Sequence, residues 1–204
     1  IALSEKQGKF AENATIPLQF GQHIGSSIAM NVQRQDQEVE IKRASLVSVV
    51  DENIPETNTK NSNTFAVIIA NEDYQSVAPV PYALNDGKIF REYCLKTLGI
   101  PEKQIKYIPN ATGNQIKAQI NWLQTLAEVF TDPHIIFYYA GHGIPDESSR
   151  TAYLLPVDGI GTDVSTGYKL DDLYAVLGKM PAENVTVFMD ACFSGSKREE
   201  GMLA

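Results

Sequence analysis

Two cysteines in 204 residues, Cys94 and Cys192, allow at most one bridge and exclude a cystine-stapled scaffold. Basic residues are also scarce: 17 Lys and Arg stand against 25 Asp and Glu, a net charge of -8. Such a surface disfavours nucleic acid, whose phosphates demand positive charge. It attracts basic substrates, but only at short range, because salt screens the rest. No apolar stretch approaches the roughly 20 residues of a membrane-spanning helix. A nucleotide-binding α/β domain would need a glycine-rich phosphate loop closed by Gly-Lys and a hydroxyl residue, which is missing. Internal repeats and long low-complexity segments are lacking too. The first residue is Ile1 and not Met, as expected once a leader is removed, and no compartment is assigned. What remains is 43% apolar, enough for one globular domain with a sizeable core.

Three textures follow one another along the chain. Residues 1–50 lack a helical period, and Thr15 to Phe20, Val39 to Lys42 and Leu46 to Val50 read as strands. This is a β-rich N-terminal extension or a pro-segment. Residues 51–63 are polar, with Pro55 and four Asn, and read as a linker. Residues 64–204 alternate strand and helix patterns. Phe65 to Ala70 is a continuous apolar run, as in a strand covered on both faces. Leu84 to Leu98 has helical spacing, with Gly99 as its stop. A short strand spans Gln104 to Ile108, and Gly113 to Phe130 puts Ile116, Ile120, Leu123, Leu126 and Ala127 on one helical face. Then come an apolar strand ending at His142, a loop, Tyr153 to Leu155, a helix over Leu170 to Leu177, and an apolar strand ending at Cys192. The alternation predicts an α/β fold, a mostly parallel sheet with helices on both faces. In such sheets ligands bind beyond the carboxyl ends of the strands.

His142 and Cys192 occupy those ends, fifty residues apart. A thiolate attacks carbonyl carbon far better than a thiol, so Cys192 needs a proton acceptor, and an imidazole titrates near neutrality. Gly141 and Gly143 bracket the imidazole and allow close approach of a substrate backbone. The Gly143 and Cys192 amides together suit an oxyanion hole, where one donor is worth about 3 kcal/mol in the transition state. Alone, a Gly-His-Gly is a common turn and a buried cysteine a common core residue; the combination at matched strand ends points to catalysis. Asp190, two residues before Cys192, projects to the same side as the thiol if the strand persists that far. Cys94 lies within a helical pattern and reads as a small buried hydrophobe.

Tyr138-Tyr139-Ala140-Gly141-His142-Gly143 and Asp190-Ala191-Cys192-Phe193-Ser194-Gly195 resemble the His and Cys motifs of the caspase-like cysteine peptidases. The bacterial metacaspase-like branch is the most similar, since Asp190 stands where caspases carry Gln. Ala70 to Tyr74, Ala83 to Asp86 and Tyr153 to Asp158 add local matches, and the resemblance covers about two thirds of the chain, Thr64 to Gly195. It implies the three-layer caspase-like fold, with Cys192 as nucleophile, His142 as base and then acid, and Gly143 and Cys192 as oxyanion donors. It places Asp86 and Asp190 in the primary specificity pocket. Two carboxylates there favour Arg or Lys and repel Asp. The plainer readings are a carboxylate at a helix N-terminus for Asp86 and a backbone-bonded core carboxylate for Asp190.

The implied activity is a cysteine endopeptidase acting on proteins or peptides after Arg or Lys, matured from a zymogen by autocatalytic cleavage. The competing reading is a non-catalytic caspase-like scaffold that binds partner proteins. Ala140 departs from the Ser of many metacaspases. Some relatives hold calcium through acidic residues after the His, and Asp158, Asp171 and Asp172 stand in comparable places. Asp171 and Asp172 equally suit a helix start, and no metal or cofactor is assigned. The chain reads as a large-subunit-like part lacking a C-terminal small segment, and a second chain from the same precursor is expected to complete the sheet. Lys197 and Arg198 are candidate processing sites. Arg34, Lys42 and Arg43 would let the N-terminal segment occupy an acidic pocket as an inhibitor, whereas added scaffold strands would explain it equally.

Overall fold

The computed structural model describes residues 53–146 and 148–191, all within the unit spanning residues 45–204. The strands expected within residues 1–50, and the tail from Cys192 onward, lie outside the described residues.

Four strands form the main sheet: β1 (Thr64–Ala70), β2 (Ile105–Pro109), β3 (His134–Ala140) and the last described strand. That last strand, Asn184–Asp190, is β7 in chain order. The spatial order is β2-β1-β3-β7, and every pair is parallel. β1 is buried along its whole length, as its unbroken apolar run requires. The side chains of Phe65, Val67 and Ile69 join one core and those of Ala66 and Ile68 the other, the period-two alternation of a strand.

Helices cover both faces. α1 (Ala83–Lys96) packs Ala83 and Cys94 on the Ala66 and Ile68 face. α2 (Gly113–Val129) and α3 (Leu170–Leu177) bury Ile116, Ile120, Leu123, Leu173 and Leu177 on the other. α2 opens with a capping box in which the Thr112 side chain and Gln115 satisfy each other's amides, and the Asp158 carboxylate accepts from the Gly113 amide at 2.9 Å. α1 has no side-chain cap from its own Tyr82; the Glu72 carboxylate accepts from the Leu84 amide instead, at 3.2 Å. Gly99 takes φ 66°, and a Cβ there would collide with the Thr59 carbonyl. Residues 53–63 run along this end of α1: the Thr57 amide donates to the Lys96 carbonyl and the Asn61 amide to that of Gly99, each at 3.0 Å.

Two features depart from expectation. The segment after His142 is not a plain loop. It forms a small antiparallel sheet of β4 (Gly143–Asp146), β5 (Thr151–Leu154) and β6 (Tyr168–Lys169), in that order. Only a short β4 with Pro145 inside it announces this hairpin, too little alternation to read as a strand. The second departure is β7. It is not buried like β1: Val185, Val187 and Met189 are half-buried, whereas Thr186, Phe188 and Asp190 are exposed. As the end strand of the described sheet it has a strand neighbour on one side only. It ends at Asp190, two residues short of Cys192.

Candidate active site

The carboxyl end of β3 carries the imidazole. Beyond Ala140, paired with Asp190, the Gly141 amide donates to the Asp190 carbonyl at 3.1 Å, so the two strand ends stay joined where the chain turns. Gly141 has φ 152°, a value side-chain-bearing residues rarely adopt. A Cβ there would lie 2.5 Å from the Tyr74 hydroxyl and 2.9 Å from that of Tyr139. The glycine therefore makes room for two of the protein's own hydroxyls.

Those hydroxyls hold the main chain of His142. Its amide donates to the Tyr74 oxygen at 2.7 Å, and its carbonyl accepts from Tyr139 at 2.8 Å and from the Leu155 amide at 3.0 Å. Tyr74, Tyr139 and Asn71 are hydrogen-bonded to one another. Asn71, fully buried at the end of β1, accepts from the Ala111 amide at 2.7 Å and donates to the Leu155 carbonyl at 3.2 Å. Burial raises the pKa of both tyrosines, that of Tyr139 well above the ordinary phenol, so both stay neutral.

The ring is oriented as well. Tyr74 packs on it with centroids 4.8 Å apart, and Nε2 lies 2.8 Å from the Ala78 carbonyl. A carbonyl only accepts, so Nε2 carries the proton in the neutral ring and Nδ1 keeps its lone pair. The groups that orient His142 leave no pattern in the sequence. A main-chain carbonyl has no residue-type signature, and only Tyr74, within the Ala70 to Tyr74 match, was on view.

Gly143 opens β4 opposite Leu154. The Leu155 amide bonds the His142 carbonyl, so this is a non-hydrogen-bonded antiparallel pair, and the Gly143 amide points away from β5. The β4–β5 ladder leaves that donor unused, as an oxyanion-hole amide requires. Cys192, and with it the second amide, lies outside the described residues.

Asp86 sits in the first turn of α1 and Asp190 at the end of β7. Asp190 is exposed, which removes its reading as a core carboxylate. One group feels both. Burial, then the charges of Asp86 and Asp190, push the Tyr138 phenol up to about 12. Tyr138 stacks on Phe90 at 4.4 Å, and Phe90 meets Phe188 at 5.0 Å. The charges of two carboxylates, one on α1 and one on β7, thus bear on the Tyr138 hydroxyl. Of the acidic residues considered for calcium, Asp158 bonds the start of α2, and Asp171 and Asp172 lie in the first turn of α3. Among the described residues no three acidic, imidazole or thiol groups converge.

The family model of the caspase domain matches residues 63–204. The chain therefore belongs to the caspase-domain family, a family of cysteine peptidases. Similar solved structures include a protein of Geobacter sulfurreducens, at 20% identity over 65% of this chain and 52% of that one, with a TM-score of 0.47. Caspase-1 of Spodoptera frugiperda is another, at 20% identity over 69% and 51%, with a TM-score of 0.48. The chain spans about half the length of each. None of the curated proteins matches it. Among the described residues no helix is long and apolar enough to cross a membrane.

Proposed function

We propose that this chain is a cysteine endopeptidase of the bacterial metacaspase-like branch, cleaving peptide bonds after Arg or Lys through a Cys192–His142 dyad. The carrying observation is the His142 ring, whose Nε2 is held by the Ala78 carbonyl while Nδ1 stays free to accept a proton. In this mechanism the Cys192 thiol gives its proton to Nδ1 and the sulfur attacks the substrate carbonyl carbon. The Gly143 and Cys192 amides stabilise the oxyanion. The tetrahedral species collapses, the C–N bond breaks, and the imidazolium protonates the leaving amine. Water, deprotonated by the same ring, then releases the acid from the thioester. Protein groups and one water molecule supply every proton and electron pair, so no cofactor is invoked.

Asp86 and Asp190 give the reading its substrate class: their shared influence on Tyr138 supports a basic side chain seated between them. The half-covered β7 supports a second chain of the same precursor adding to the sheet, with residues 1–50 as an extension and 51–63 as the segment leading into the catalytic part. Peptides differing only in Arg, Lys or Asp at the cleaved position test the reading. Turnover after Arg and Lys, abolished in Cys192→Ala and lowered about 10²- to 10⁴-fold in His142→Ala, is expected. Preference for Asp, or activity surviving Cys192→Ala, refutes it.

A further inference from the structure

The opposite end of the sheet holds a second feature that the peptidase reading does not use. A groove of about 450 Å³ opens beside the amino ends of β1 and β2. Phe65 forms its floor, with Phe130 packed on it at 4.7 Å and Trp122 edge-on at 6.3 Å. Leu126 completes the apolar wall. Phe130 is 41% exposed and the neighbouring Val129 71%, so apolar surface continues out of the groove onto the end of α2. Parallel strands seven residues long separate this groove from His142 by roughly 20 Å.

Its rim carries positive charge on a chain of net charge -8. Lys103 lines the groove, and the Lys106 ammonium lies 5.4 Å from the Trp122 ring centroid. Among the described residues neither lysine has a carboxylate partner; the nearby Glu102 is bound to Arg91 at 2.6 Å. Three rings and an aliphatic wall beside two unpaired ammonium groups match a ligand with an apolar body and adjacent negative charge. The acidic remainder of the surface repels a densely charged polyanion. We infer that this groove binds an acidic peptide segment of a protein partner, an apolar side chain entering between Trp122 and Phe130 and a neighbouring Asp or Glu pairing with Lys103 and Lys106.

Trp122 is the only tryptophan of the chain, so its fluorescence reports occupancy without any activity assay. The full-length chain is titrated with acetyl-Gly-Phe-Glu-Glu-Gly-amide and with the matching Phe-Gln-Gln peptide. The acidic peptide is expected to shift Trp122 emission and to bind at least about fivefold more tightly, an advantage that fades as salt is raised. In Lys103→Glu/Lys106→Glu, both positions being exposed, that advantage disappears while the melting curve is kept. No emission change with either peptide overturns the proposal, as does equal affinity for both. Tighter binding of adenosine monophosphate than of the acidic peptide also overturns it, as does self-association of the chain that buries Trp122.

Discussion

Tyr74 gives its oxygen to the main chain of His142 and its ring to the imidazole, so its two halves can be removed separately. Tyr74→Phe leaves the His142 amide unpaired, a loss of about 1–3 kcal/mol. In the proposed peptidase kcat is expected to fall with KM little changed, and Tyr74→Leu, which also frees the ring, to fall further. Steady-state kinetics beside ¹⁵N shifts of the His142 ring check this, since a loosened ring loses its preference for the Nε2–H tautomer. Tyr138 offers a pH test. Its folded-state pKa of about 12 lies above the ordinary 10.0, so the folded protein favours the neutral phenol. The resulting stability is complete below pH 10 and is lost as pH rises through 12. Asp190→Asn removes one of the charges that oppose the phenolate, so Tyr138 is expected to ionise at lower pH, read as phenolate absorbance in an alkaline titration. An unmoved titration would separate Asp190 from this hydroxyl. Cys94 needs no role in the chemistry: burial raises its thiol to about 12, keeping it protonated at neutral pH.

At the scale of elements, one glycine sets how closely α1 lies on the sheet. A Cβ on Gly87 would come within 2.6 Å of the Ala70 Cβ and 3.0 Å of the Tyr107 ring. Gly87→Ala therefore gains helix propensity but overpacks the interface, for a net loss of about 1–3 kcal/mol measured by denaturant unfolding. Because α1 carries Asp86 towards Tyr138, the same variant is expected to weaken selection of basic peptides. Most elements were legible before the structure. The Leu170–Leu177 helix keeps its expected bounds, and the expected Leu84 to Leu98 helix forms over Ala83–Lys96. Long periodic runs are readable because burial on one face repeats every turn. The β4–β5–β6 sheet was not, because its strands are two to four residues long, with too little alternation to read, and β6 pairs with β5 from across an irregular loop.

At the scale of the whole molecule the informative asymmetry among the described residues is between β1, buried along its length, and β7, which has a strand neighbour on one edge only and alternates half-buried with exposed side chains. An exposed parallel edge with Phe188 43% accessible is a surface that a further strand stabilises. If a second chain of the same precursor completes the sheet, amides of Asn184–Asp190 should exchange slowly in the mature protein and quickly in the isolated chain, while those of β1 stay slow in both. Hydrogen exchange followed by mass spectrometry reads this directly; equal protection of β7 in both states argues against the added strand.

The sequence by itself determined the alternation of strands and helices, the strand end that bears His142, and the motifs that mark Cys192 and Asp190. Apolar periodicity and glycine placement are local, so they survive in one dimension. Only the tertiary structure decided what holds His142: an Ala78 carbonyl 64 residues away and a Tyr74 hydroxyl 68 away. It likewise decided that Gly141 serves internal hydroxyls and that Asp86 and Asp190 bear on one phenol. Those relations depend on where loops fold back over strand ends, and a main-chain carbonyl leaves no mark in the order of residues.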